Sequence, residues 1–180
     1  MKQIILFSIG LLILISCKSE DPKPQIIRIS FSNGKIFCQG KHIYSSDKKD
    51  TVRTGSWNFY YPNGQKEISS EYNEDGEIIR YKSYSFEGIL IESYTKKDEL
   101  ESYSTYYDSG SIKIESIIQT KSIGEDETEE KAFVKEYYPN NKIYQEYQQI
   151  DGIRDGITKI WDAEGNLVLS VKYVNGIIHK

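Results

Sequence analysis

Alanine is almost missing from this chain: Ala132 and Ala163 are the only two in 180 residues. Leucine is scarce beyond residue 14. These two residue types lead the helix-forming scale, so their scarcity favours strands over helices. With two histidines and two cysteines, no zinc-ligand pattern occurs. No glycine-rich phosphate loop or basic stripe occurs either. Lys plus Arg number 23 against 27 Asp plus Glu, for a net charge of −4. That balance lacks the basic footprint of a nucleic-acid binder and does not favour anionic lipid headgroups. Long apolar runs are also missing, except Ile4 to Ile15, interrupted only by Ser8 and Gly10. It falls short of the roughly 20 residues that span a bilayer.

That single run carries an address. Lys2 precedes it and Leu14-Ile15-Ser16-Cys17 closes it, the layout of a secretory signal. The closing tetrad resembles a bacterial lipobox. The resemblance implies cleavage between Ser16 and Cys17 and a diacylglycerol on the Cys17 sulfur. The chain then divides into a signal peptide (1–16), an acylated tether (17–25) and a folded domain (26–180). The tether holds Pro22, Pro24 and the acidic Ser19-Glu20-Asp21. That cluster resembles the export signals of Bacteroidetes surface lipoproteins, implying the outer membrane and its surface. More than one acyl chain is needed for stable anchoring.

Lipidation of Cys17 leaves Cys38 without a partner. Ile36-Phe37-Cys38 reads as a strand, where a lone cysteine behaves as a small buried hydrophobe. His42 and Asp47 follow, so a Cys38/His42 hydrolase can be written down. Nothing else supports it: there is no glycine elbow, and His179 lies beside the C-terminus. Glu125 to Glu130 holds five acids, but without EF-hand spacing it reads as a solvated insertion loop.

What the chain has in abundance is tyrosine: 15, against 6 Phe and 2 Trp. Tyrosine suits half-exposed sheet faces, where the ring packs and the hydroxyl reaches water. The tyrosines fall in repeats. Trp57-Asn-Phe-Tyr-Tyr-Pro-Asn-Gly64, Ser104-Thr-Tyr-Tyr-Asp-Ser-Gly110, Lys135-Glu-Tyr-Tyr-Pro-Asn-Asn141 and Ile160-Trp-Asp-Ala-Glu-Gly165 are copies. Tyr84 to Gly88 and Ile29 to Gly34 are weaker ones. The turn anchors Gly34, Gly64, Gly88, Gly110, Asn141 and Gly165 are spaced by 30, 24, 22, 31 and 24 residues. A hairpin unit of 22–24 residues fits, with polar insertions at Ser45–Arg53 and Lys121–Lys131 in the two longer intervals. Each anchor ends an aromatic strand in a turn that needs positive φ, open to glycine and next to asparagine.

The pattern Gly-x-Trp-x-x-Tyr-Tyr-x-x-Gly, continued to Tyr-x-x-x-Gly, is written at Gly55 to Gly76; Gly156 to Gly176 is a looser copy. It resembles the MORN-repeat variant of bacterial lipoproteins from about Ser30 to the C-terminus. The resemblance implies an all-β fold: an elongated, single-layer antiparallel meander of β-hairpin repeats, without cofactor or metal. Some members are labelled antitoxins. The expected function is a non-enzymatic, lipid-anchored protein-interaction scaffold, with an antitoxin or immunity lipoprotein as the alternative. Partners are then the membrane through Cys17, a protein, and a second copy through the sheet edges, with no nucleic acid. The candidate binding strip is aromatic: Trp57, Tyr61, Tyr107, Tyr138 and Trp161.

Overall fold

A computed structural model describes residues 23–45 and 49–179. Cys17, the signal segment, Asp47 and most of the tether lie outside the described residues.

The chain forms one open antiparallel sheet, and no helix occurs among the described residues. Its strands are β1 (Gln25–Ser30), β2 (Ile36–Ser45), β3 (Asp50–Tyr60), β4 (Lys66–Tyr72), β5 (Ile78–Tyr84), β6 (Leu90–Lys97) and β7 (Leu100–Tyr106). They continue as β8 (Ile112–Ser122), β9 (Thr128–Tyr137), β10 (Ile143–Ile150), β11 (Ile153–Arg154), β12 (Gly156–Trp161), β13 (Leu167–Val174) and β14 (Ile177–His179). Each strand pairs with its neighbour in sequence, except that β12 returns to β10 beside the two-residue β11. The expected meander is therefore the fold, and β1 takes in Gln25, the last residue assigned to the tether.

One turn design recurs along one edge of the sheet. At Tyr61–Gln65 the Gly64 amide donates to the Tyr61 carbonyl at 2.8 Å, and the Tyr61 amide to the Gln65 carbonyl at 2.8 Å. The register slips between Phe59 and Tyr60. This is a tight turn closed by a bulge whose glycine sits at φ 92°, a conformation costly for any residue with a Cβ. The same bonds close the turns opened by Phe31, Ser85, Tyr107, Tyr138 and Asp162. Their anchors also have positive φ: 81° at Gly34, 87° at Gly88, 81° at Gly110, 66° at Asn141 and 90° at Gly165.

The insertions differ from the sequence expectation. Most of their residues lengthen strands instead of forming loops: β2, β3, β8 and β9 run to 10 or 11 residues. The acidic run is split. Thr128, Glu129 and Glu130 belong to β9, where Glu129 faces Lys121. Opposite charges across an antiparallel pair favour that extension. The Glu130 amide donates to the Asp151 carboxylate at 2.9 Å.

The two faces of the sheet are unequal. Cross-strand partners point to the same face, so register traces one line across it. From β3 it reads Trp57, Ser70, Tyr81, Tyr94, Tyr103, Ser116, Val134 and Tyr147, with Thr158 in step on β12. Every buried side chain among the described residues lies on this face: Cys38, Trp57, Ser70, Ser116, Ala132, Val134 and Thr158. Large rings are interspersed with small residues, and Tyr81, Tyr94 and Tyr103 follow one another across three strands. The Trp57 indole lies against Gly40, donates to the Lys41 carbonyl at 2.7 Å and stacks on Phe59 at 6.0 Å. The Arg53 guanidinium covers that cluster, 4.8 Å from the Trp57 ring. Tyr81 and Tyr94 stack at 5.5 Å.

Candidate functional site

The five aromatics of the sequence strip occupy three kinds of position, not one strip. Trp57 is on the packed face and 4% exposed. Tyr61, Tyr107 and Tyr138 open turns, and Trp161 ends β12 one residue before a turn. The turn tyrosines are tied down. Tyr61 Oη donates to the Tyr84 carbonyl at 2.9 Å, Tyr107 Oη to Tyr137 at 2.7 Å and Tyr138 Oη to Trp161 at 3.0 Å. Each bond reaches from one turn to the last strand residue before the next turn. Asparagine and lysine repeat the link: Asn63 Nδ2 donates to Phe86 at 3.2 Å, Asn140 Nδ2 to Ala163 at 3.0 Å and Lys142 Nζ to Glu164 at 2.6 Å. Tyr61, Tyr107 and Tyr138 thus staple one repeat to the next.

Cys38 is a free, buried thiol opposite Phe59. His42 is four residues along the same strand, about 13 Å of extended chain away. Its Nε2 lies 3.2 Å from the Gln25 side chain. The Cys38/His42 pair is therefore not assembled as a nucleophile and base, which must be within hydrogen-bond reach. No cluster of three His, Cys, Asp or Glu that could hold a metal occurs among the described residues.

The packed face carries perturbed tyrosines. Tyr103 donates to Glu92, and that bond, with burial, pushes its hydroxyl up to about 12. Burial, then a hydrogen bond with Glu101, pushes Tyr94 up to about 12. Both groups stay protonated and hold neighbouring strands together.

The central line of the opposite face is polar over its first half and charged over the second. Along β3 to β7, one line of partners is Asn58, Ser69, Lys82, Ser93 and Ser104. It continues as Glu115, Lys135, Glu146 and Lys159, a row of alternating charge. Lys159 Nζ pairs with Glu146 at 2.9 Å, and Tyr137 Oη donates to Glu115 at 3.0 Å. Beside that row lies a groove of about 550 Å³ over β8, β9, β10 and β12. Its apolar floor is Ile117, Phe133 and Ile157, exposed by 46%, 41% and 52%.

Sequence reading missed this groove, yet a signal existed. Eight residues before the anchors stand Ile26, Ser56, Arg80, Ser102, Phe133 and Ile157. The position is polar in the three repeats from Gly64 to Gly110 and apolar in the last two.

Known proteins agree with the repeat. Residues 53–74 and 134–150 match the MORN repeat variant. The first segment holds the Trp57 copy and the second the Asn141 copy, so the likeness to MORN repeats falls on two of the β-hairpins. No curated protein matches the chain. Among solved structures, a protein of unknown function from Bacteroides fragilis NCTC 9343 aligns at 12% identity, covering 83% of this chain and 93% of that one, with a TM-score of 0.21.

Proposed function

We infer that this protein is a non-enzymatic, protein-binding scaffold held in the bacterial envelope by lipid on Cys17. The groove over β8, β9, β10 and β12 is its docking surface. One observation carries the reading: Ile117, Phe133 and Ile157 are exposed together beside a row of alternating charge. An apolar patch rimmed by charge is the mark of a protein contact. The rim does not suit a small molecule, because Glu115, Lys135, Glu146 and Lys159 stand in one row along the side of the floor. A small-ligand site instead converges a few polar groups on the ligand to orient it. The anchoring rests on the Leu14-Ile15-Ser16-Cys17 tetrad.

The test is affinity capture of the tagged chain from crosslinked cells, comparing the native sequence with Phe133→Ser. Capture of a protein lost in the variant supports docking through the groove; equal capture by both sinks it. One small stoichiometric polypeptide would favour the immunity reading, and a set of envelope proteins the scaffold. Detergent-free release of Cys17→Ala supports the anchor, and unchanged membrane retention after cleavage contradicts it.

A further inference from the structure

The charge row beside the groove has a symmetry that points to its occupant. Read from β8 to β12 it is Glu115, Lys135, Glu146, Lys159: negative, positive, negative, positive. Turned end for end, the same row reads positive, negative, positive, negative. Such a row complements a reversed copy of itself.

A two-fold axis parallel to the strands, in the plane between two facing sheets, performs that reversal. It inverts strand order and keeps the height along each strand. With the axis over the gap between β9 and β10, Glu115 faces Lys159 of a second copy and Lys135 faces its Glu146. The neighbouring line is carried onto itself as well, so Ile117 meets Ile157 and Phe133 meets Gln148. Ile117 and Ile157 bury apolar surface against each other, and opposite charges meet along their side. Facing sheets pack about 10 Å apart with nearly aligned strands, a gap that Lys and Glu side chains reach across. An isologous contact of this kind closes after two subunits.

We propose that a second copy of this chain occupies the groove, joined face to face through β8, β9, β10 and β12. The proposal rests on the docking reading above and names its partner. It differs from pairing through the sheet edges, where β1 and β14 would add strands and the charge row would play no part.

The test uses the full chain, purified in mild detergent at high micromolar concentration, with light scattering to weigh the protein component. The native chain should carry the mass of two copies. Lys135→Glu and Glu146→Lys should each weaken association by at least tenfold, because each sets like charges face to face. Mixing the two variants should restore the two-copy mass with one of each, since the glutamate introduced in one then faces the lysine introduced in the other. Variants that failed to fold could not complement each other. A native chain of single mass, a dimer untouched by either variant, or monomeric variants that fail to pair would each overturn the proposal. If the native chain is single while Phe133→Ser still loses a captured protein, the docking surface stands and its occupant is another protein.

Discussion

Gly40 is the position where a single methyl group should do the most damage. A Cβ built there would lie 2.2 Å from Cδ2 of Trp57 and 2.4 Å from Cε2 and Cγ. No rotamer of an alanine relieves that overlap, so the indole must lift. Forcing extra volume into a packed site costs about 1–3 kcal/mol. Lifting the ring also breaks its 2.7 Å bond to the Lys41 carbonyl, worth about 1 kcal/mol. Gly40→Ala should therefore destabilise by about 3 kcal/mol, or roughly 6–12 °C in Tm for a domain of this size.

The sign of that effect makes it a strong test. Gly40 does not have positive φ, and glycine inside a strand is normally worse than alanine by roughly 0.5–1 kcal/mol. Without the indole, Gly40→Ala should be neutral or stabilising. The measurement is a thermodynamic cycle between Gly40→Ala and Trp57→Leu, followed by urea unfolding. A Trp161→Phe background leaves Trp57 as the only indole, and its emission should shift to the red in Gly40→Ala. A cost below about 0.5 kcal/mol, or the same cost with and without the indole, would refute the packing argument, because contacting pairs couple by 0.5–3 kcal/mol.

Four further expectations follow from the same geometry. Tyr61→Phe, Tyr107→Phe and Tyr138→Phe each remove one interrepeat bond and should cost about 1 kcal/mol apiece, adding in the triple variant because they lie on separate turns; a triple variant no weaker than a single one would dismiss the staples. Gly64→Val, at φ 92°, should cost more than about 1 kcal/mol, whereas Asn141→Gly, at φ 66°, should be neutral or stabilising; equal melting temperatures for Gly64→Val and native protein would contradict the turn. Ser70→Ala should leave stability unchanged or raised, since Ser70 Oγ is buried without a hydrogen-bond partner, and a loss above about 1 kcal/mol would oppose this. Tyr94 and Tyr103, raised from 10.0 to about 12, contribute stability that is complete below pH 10.0 and lost as the pH climbs through 12; absorbance at alkaline pH should show a late-titrating group that Tyr103→Phe diminishes, and uniform titration near 10.0 would count against the carboxylate contacts.

The hairpins and their anchors were legible because one residue type solves one backbone problem. A tight bulged turn needs positive φ, so glycine or asparagine recurs at fixed spacing and marks the units. The faces were harder to read. Aligning copies on their aromatics put Trp57 beside Tyr61, although the bulge shifts the register between Phe59 and Tyr60. Counting seven residues back from each anchor instead gives Trp57, Tyr81, Tyr103, Val134 and Thr158, which lie on the packed face. The contact between Gly40 and Trp57 was not legible by any count. It depends on an irregular pairing of β2 with β3 between Gln39 and Lys41.

The direction of the interrepeat bonds bears on how copies can meet. Side-chain donors in the early turns point to later ones: Lys35 Nζ donates to the Asn63 carbonyl at 2.7 Å, as Tyr61, Asn63, Tyr138 and Lys142 do further on. The Ser85 turn shows only local side-chain bonds of its own, to Ser85 Oγ, and the last turn is local as well. Its Asn166 directs its amide at 2.7 Å and its Nδ2 at 3.0 Å back to Asp162. Those bonds hold the Asp162 carboxyl below its ordinary range. The packed face is occupied by its own aromatics. The opposite face offers a partner the four strands where Ile117, Phe133 and Ile157 are exposed beside the charge row.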